Sequence, residues 1–155
     1  MSKKSAGLLF YRRTQGGAEV FLVHPGGPFW SKKAEGSWSI PKGELGDAEE
    51  PLAAARREFR EETGIEPKGE YRPLAPIRQA GGKNILAWAV EGDIDTSSFR
   101  SNTFRMEWPK NSGKVREFAE VDRGEWFPMA AAKVKILKSQ LPMLNELEML
   151  LSEGG

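Results

Sequence analysis

A chain of 155 residues with 23 basic and 22 acidic side chains and no cysteine fits a single domain spanning 1–155, long enough to bury roughly 68–70% of its unfolded surface without covalent staples. The formal charge of +1 argues against a nucleic-acid-binding protein, which needs a basic surplus on one face, and the missing cysteine excludes disulfides and thiolate metal sites. No apolar run approaches the ~18 residues of a membrane span, and the start MSKKSAG lacks a signal-peptide core. The expectation is therefore a soluble, cytoplasmic protein.

In chain order, 6–11 (AGLLFY) and 19–24 (EVFLVH) read as strands separated by a turn over 12–18 that contains Gly16-Gly17. The stretch PGGPFWSKKAEGSW is crowded with Gly and Pro and reads as a loop, one that carries two tryptophans, Trp30 and Trp38. A helix is expected over 51–63. Pro51 suits its first position, where a missing N–H costs nothing, and Gly64 suits a left-handed C-terminal cap. Strands are expected at 71–79 and 84–91, joined by a turn at Gly81-Gly82. The stretch 96–113 reads as a short strand near 103–108 followed by a polar loop at 109–113. Trp126-Phe127 forms a brief apolar element, and helical patterns at 129–137 and 142–151 close the chain. Strands, an inserted helix, further strands and final helices suggest an α/β fold with a mixed sheet covered on both faces.

The stretch that organises the chain is 43–65, GELGDAEEPLAAARREFREETGI. Taking Glu58 as 0° and stepping ~100° per residue, Glu61 falls near −60° and Glu62 near +40°. The three carboxylates thus share one helix face, while Leu52, Ala55 and Phe59 form an apolar stripe at about 60° to 120°. Like charges at this spacing destabilise a helix by a few tenths of a kcal/mol per pair, so the cluster calls for a counter-ion. Hard oxygen ligands favour Mg2+ or Mn2+, held through a few carboxylates and substrate phosphates.

The residues Gly43, Glu49, Arg57, Glu58, Phe59, Glu61, Glu62, Gly64 and Ile65 resemble the signature box of the Nudix hydrolases, Gly-x5-Glu-x7-Arg-Glu-U-x-Glu-Glu-x-Gly-U, with U apolar. Seven fixed residue types at fixed spacing arise by chance about 10⁻⁹ to 10⁻⁸ times per starting point. The Trp-x-x-Pro-Lys-Gly lead-in, Trp38 to Gly43, extends the similarity upstream. The resemblance implies the Nudix α/β/α sandwich with a central mixed β-sheet. It also implies a metal site made by Glu58, Glu61 and Glu62 with the backbone carbonyl of Gly43. Arg57 would hold the box glutamates in place, with Glu49 among its partners, in the way outer partners orient metal ligands.

Nudix enzymes take their general base either from the box or from a later loop. A recurrent late glutamate stands six residues before a Trp, as Glu120 does before Trp126, so Glu120 is expected to act as base or further ligand. Glu58 is the alternative, with Glu62 also in the catalytic set and Glu117 and Glu107 as lesser rivals. For substrate contacts, Lys42 is placed to meet a phosphate. Arg105 and Lys114 lie near Trp108, and an aromatic beside basic groups suits a nucleotide, because any base stacks on an aromatic face; Trp38 and Trp30 carry the same expectation. His24, the only histidine, is given a structural or surface role rather than a catalytic one.

The function so implied is metal-dependent hydrolysis of a phosphoanhydride in a nucleoside diphosphate linked to another group, with nucleoside or dinucleoside polyphosphates first. An ADP-ribose, nucleotide-sugar or oxidised-nucleotide pyrophosphatase is the alternative, and a non-catalytic nucleotide-binding module is the rival from another class. The partner expected is a small nucleotide; the residues leave the oligomeric state open.

Overall fold

In the computed structural model, residues 4–29, 35–78 and 82–153 are described. The first two strands, β1 (Lys4–Thr14) and β2 (Gly17–Pro25), form a hairpin through the turn at Gln15-Gly16. After the Gly/Pro-rich loop comes β3 (Lys42–Glu44), then helix α1 (Pro51–Thr63). Strands β4 (Tyr71–Pro73), β5 (Ile77–Arg78) and β6 (Asn84–Glu91) follow. A second hairpin, β7 (Thr103–Glu107) and β8 (Val115–Ala119), precedes β9 (Val121–Pro128). Helices α2 (Met129–Lys135) and α3 (Leu141–Glu153) end the chain.

The main sheet has the order β4-β6-β1-β2-β9, with β3 on β1 and β5 on β6. Its one parallel pairing, β1 with β6, is long, running from Lys4 opposite Asn84 to Tyr11 opposite Glu91. A parallel pair needs a crossover, and the intervening segment carries α1 across one face. The alternation of side chains along each strand then sorts two cores. Ala6, Leu8 and Phe10 of β1 and Phe21 and Val23 of β2 meet Ala54, Ala55 and Phe59 of α1. Leu9, Tyr11, Val20 and Leu22 face the other way, onto Met129, Ala132, Met143, Leu144 and Leu147 of α2 and α3. The architecture is the expected α/β/α sandwich about a mixed sheet.

Helix α1 runs over the residues its punctuation predicts. Pro51 opens it, and Gly64 closes it at φ 73° with its N–H on the Arg60 carbonyl at 2.8 Å. A Cβ at Gly64 would also crowd the Arg100 carbonyl at 2.7 Å, so a second reason for glycine comes from tertiary contact. Other expectations need correction. The strand expected over 71–79 is split into β4 and β5: Leu74 still donates its N–H to the Ala87 carbonyl of β6 at 2.9 Å, but the Ala75 N–H turns to Glu146 at 2.9 Å and Pro76 has no N–H to give. The segments 42–44 and 115–119, which the sequence pattern leaves unassigned, are strands held by pairing to β1 and β7. Trp126-Phe127 belongs to the eight-residue β9, whose pairing with β2 stabilises a segment too polar to announce itself. Trp30 and the Gly81 half of the expected turn lie outside the described residues.

Phe59 anchors α1: its ring is fully buried and stacks on Phe10, centroids 4.8 Å apart. Truncating such a ring removes its transfer energy and leaves a cavity. Phe59→Ala is expected to cost about 3–5 kcal/mol in urea unfolding; a cost below about 1 kcal/mol would show that α1 is held by something else.

Candidate active site

One end of the sheet gathers the acidic residues. β3 pairs antiparallel with the start of β1, Gly43 opposite Ala6, which sets the box loop beside α1. Gly7 of β1 has no Cβ because the Pro41 carbonyl and Ile40 occupy that space. Gly43 itself abuts the helix: a Cβ there would run into the carboxylate of Glu58. The segment after α1 turns back across its C-terminal end. The Arg100 and Asn102 N–H groups donate to the carbonyls of Thr63 (2.6 Å) and Glu61 (2.8 Å). From there the chain leaves as the β7–β8 hairpin and returns at Glu120, whose N–H donates to the Asn102 carbonyl at 2.9 Å. The Glu120 carbonyl accepts from Gly26 at 2.8 Å, tying the end of β2 to the same point.

Arg57 organises half of the carboxylates. Its Nε and Nη2 donate to the two oxygens of Glu49 at 2.8 and 3.0 Å, and Nη2 also reaches the Glu44 carbonyl at 3.1 Å. Its Nη1 donates to Glu58 at 2.9 Å and to Glu61 at 3.0 Å. The paired guanidinium, with the Gly46 N–H, holds the Glu49 carboxyl down at about 2. Bidentate pairs of this kind fix orientation as well as charge.

The other half lacks that compensation. Burial pushes the Glu62 carboxyl up to about 8, with repulsion from Glu58 and Glu120 adding to it; Lys42 works against both. The Lys42 N–H donates to Glu62 at 3.3 Å. Burial also raises Glu58 and Glu120, the latter further through the charge of Glu61. Glu62, Glu120 and Lys42 line a cleft of about 210 Å³ with Val23, Ser39 and Val121. A larger cavity, about 640 Å³, lies at the other end of β1 and β2; its two carboxylates, Glu19 and Glu148, are each paired with a basic side chain.

Among the described residues no three acidic or histidine side chains are already closed around one point, since Arg57 occupies oxygens of Glu58 and Glu61. The donor set nonetheless suits a hard divalent cation: the oxygens are carboxylate and carbonyl, and two of the carboxylates are raised by burial and mutual repulsion. The missing Cβ at Gly43 leaves its backbone free to approach Glu58.

The other expected residues divide. Trp38 is no substrate platform, and its assignment is corrected: it is only 3% exposed. Its ring is wedged against Phe127 (4.8 Å) and His24 (5.2 Å), with Arg123 over it at 5.2 Å. Arg105 and Lys114 are exposed on the β7–β8 hairpin, outside the lining of the cleft. Glu107 is committed to the hairpin tip, accepting from the N–H groups of Asn111 and Gly113 at 3.0 Å each. Glu117 is exposed, opposite Arg105. His24 is fully buried and pairs with Asp122 at 2.9 Å. Ser39, Val23 and Val121 of the cleft wall carried no mark in the sequence that separates them from ordinary strand residues.

The cleft thus brings Glu62 of the acidic helix face together with the loop glutamate Glu120 and with Lys42. The NUDIX domain family matches residues 1–147. The chain belongs to that family. Its members generally use divalent metal ions. Similar solved structures include an Ap4A hydrolase binary complex from C. elegans (TM-score 0.65, 20% identity, 96% of this chain and 98% of that one). The NUDIX domain of NrtR from Shewanella oneidensis, complexed with ADP ribose, is also similar (TM-score 0.67, 15% identity, 97% and 89%). So is a mutT/nudix family protein from Listeria innocua (TM-score 0.64, 16% identity, 98% and 95%). At these identities the likeness establishes the fold. No curated protein matches the chain significantly.

Two outcomes follow from the charge balance. Glu62 has an ordinary carboxyl pKa of 4.5 when unfolded and about 8 in the fold. Below pH 4.5 it is neutral in both states and has no effect; between 4.5 and 8 the unfolded chain ionises first, so folding loses stability as pH rises. With metal chelated, Glu62→Gln is expected to be more stable than the parent at pH 8, by up to about 4 kcal/mol. The gain should vanish by pH 4 in urea titrations; a Gln variant less stable at pH 8 would show that the carboxylate is compensated. Gly43→Ala is expected to displace Glu58 and weaken Mn2+ binding at least tenfold by titration calorimetry, whereas unchanged affinity would remove Gly43 from the site.

Proposed function

We propose that this chain hydrolyses a phosphoanhydride bond in nucleoside polyphosphates, dinucleoside polyphosphates foremost, with Mg2+ or Mn2+. The observation that carries the reading is the facing of the raised carboxylates Glu62 and Glu120 across the cleft that Lys42 borders. The Gly43 carbonyl and the carboxylates of Glu58, Glu61 and Glu62 would hold the metal. When bound, it supplies Lewis-acid polarisation of phosphoryl oxygen and a lowered pKa for a coordinated water.

The protein's own groups do the rest. Lys42 pairs with a phosphate oxygen at the cleft edge. Arg57 orients Glu58 and Glu61 through Nη1, and at Glu58 that donation works against the rise that burial imposes. Glu120 receives no such donation from Arg57 and accepts the proton of the attacking water. At about 210 Å³ the cleft is smaller than the roughly 300 Å³ at the low end of ligand pockets. It therefore takes the phosphates, and the remainder of the substrate runs out along the β7–β8 hairpin, where Arg105 and Lys114 are exposed. Such an extended path favours a long polyphosphate. The similarity to an ADP-ribose-bound domain keeps ADP-ribose as the second reading.

A magnesium-dependent phosphate-release assay over nucleoside triphosphates, oxidised nucleotides, dinucleoside polyphosphates, ADP-ribose and nucleotide sugars tests this. Dinucleoside polyphosphates should give the highest kcat/KM; preference for ADP-ribose would select the second reading. Binding without turnover across the whole panel would indicate a binding module instead. Glu120→Gln is expected to lower kcat by about 10²-fold or more, the scale of a lost general base, and a near-parental rate would remove Glu120 from that role.

A further inference from the structure

We propose that Asn102 is a positioning residue that aims the Glu120 carboxylate at the acidic face of α1; its catalytic consequence rests on the base role given to Glu120 above. Asn102 stands where three segments meet. Its backbone N–H donates to the Glu61 carbonyl at 2.8 Å, and its own carbonyl accepts from the Glu120 N–H at 2.9 Å. The side-chain amide faces two acceptors, the Glu61 carbonyl and Glu120 Oε2, so its nitrogen is the atom directed at them. In that orientation it donates to the Glu61 carbonyl at 3.1 Å and to Glu120 Oε2 at 3.0 Å.

One amide therefore bridges the metal-ligand helix and the loop glutamate. A carboxylate on a loop between two strands has free rotamers, and a neutral donor fixes one of them without adding charge. The bond occupies Oε2 and leaves Oε1 as the oxygen free to take a proton. Repulsion from Glu61, which acts on Glu120, would otherwise swing the carboxylate away from the cleft. A lysine at 102 would donate as well, but would neutralise the base. Asparagine supplies direction alone. An aspartate of the same shape would present an acceptor to an acceptor and add a like charge.

Asn102→Ala and Asn102→Asp are compared in the parent and in Glu120→Gln, using whichever compound of the panel is turned over with magnesium. Asn102→Ala is expected to lower kcat about tenfold with KM changed less than twofold, because Asn102 does not touch substrate; Asn102→Asp should lower it further. In the Glu120→Gln background the same Ala change should alter the residual rate less than twofold, since its target is gone. Equal losses in both backgrounds, or a parental kcat for Asn102→Ala, would overturn the proposal. A parental kcat for Glu120→Gln alone would instead sink the base assignment and, with it, this consequence, which separates the two failures. Independently of turnover, the Asn102 side-chain amide pair in the 1H–15N spectrum of the metal-free protein should shift on Glu120→Ala. An unmoved pair would refute the hydrogen bond itself.

Discussion

The structure depends on crowding negative charge that the protein only partly neutralises. Glu49, Glu58, Glu61, Glu62 and Glu120 converge on one end of a sheet, where Arg57 and Lys42 are the cations acting on them. Burial makes the deficit expensive, because a desolvated carboxylate without a partner is raised towards its neutral form, and Glu62 and Glu120 respond in that direction. The fold tolerates this because the apolar side of α1 is locked into the sheet through Ala54, Ala55 and Phe59. Stability is supplied beside the site and given up within it, which is the condition for a site that gains by binding a cation.

The division of labour among the carboxylates follows from where the one guanidinium reaches. Arg57 spans Glu49, Glu58 and Glu61 and orients all three, holding the Glu49 carboxyl down. Glu62 points the other way, into the cleft, and meets only the backbone N–H and the more distant charge of Lys42. Glu120 comes from a different part of the chain and is held by its backbone and by Asn102. Similar side chains, Glu49 lowered and Glu62 raised, thus acquire different proton affinities from position alone.

Strand β1 makes the convergence possible. It pairs with β2, β3 and β6, so the box loop, the crossover helix and the loop leading to Glu120 all emerge near the same end. The β7–β8 hairpin projects from that end as a separate two-stranded sheet, its base stitched to α1 through the 100–102 segment. Loops outside a rigid scaffold are where specificity is set, and here Pro25 and Ser37 of the Gly/Pro-rich stretch line the cleft.

The sequence by itself determined the bounds of α1 to the residue. Its period, Pro51, Gly64 and the spacing of Glu58, Glu61 and Glu62 are local quantities fixed by helix geometry, and the box motif repeats them in a pattern that chance does not produce. The long strands β1, β2 and β6 were legible for the same reason, as unbroken apolar segments. Only the tertiary structure decided the rest. β3, β8 and most of β9 lack an apolar pattern and exist because a neighbouring strand pairs with them; Trp38 looks like a stacking residue until α2 and β9 bury it; and Asn102 resembles any loop asparagine until the fold folds it between Glu61 and Glu120. Those properties belong to contacts between residues far apart in the chain, and no local periodicity encodes such contacts.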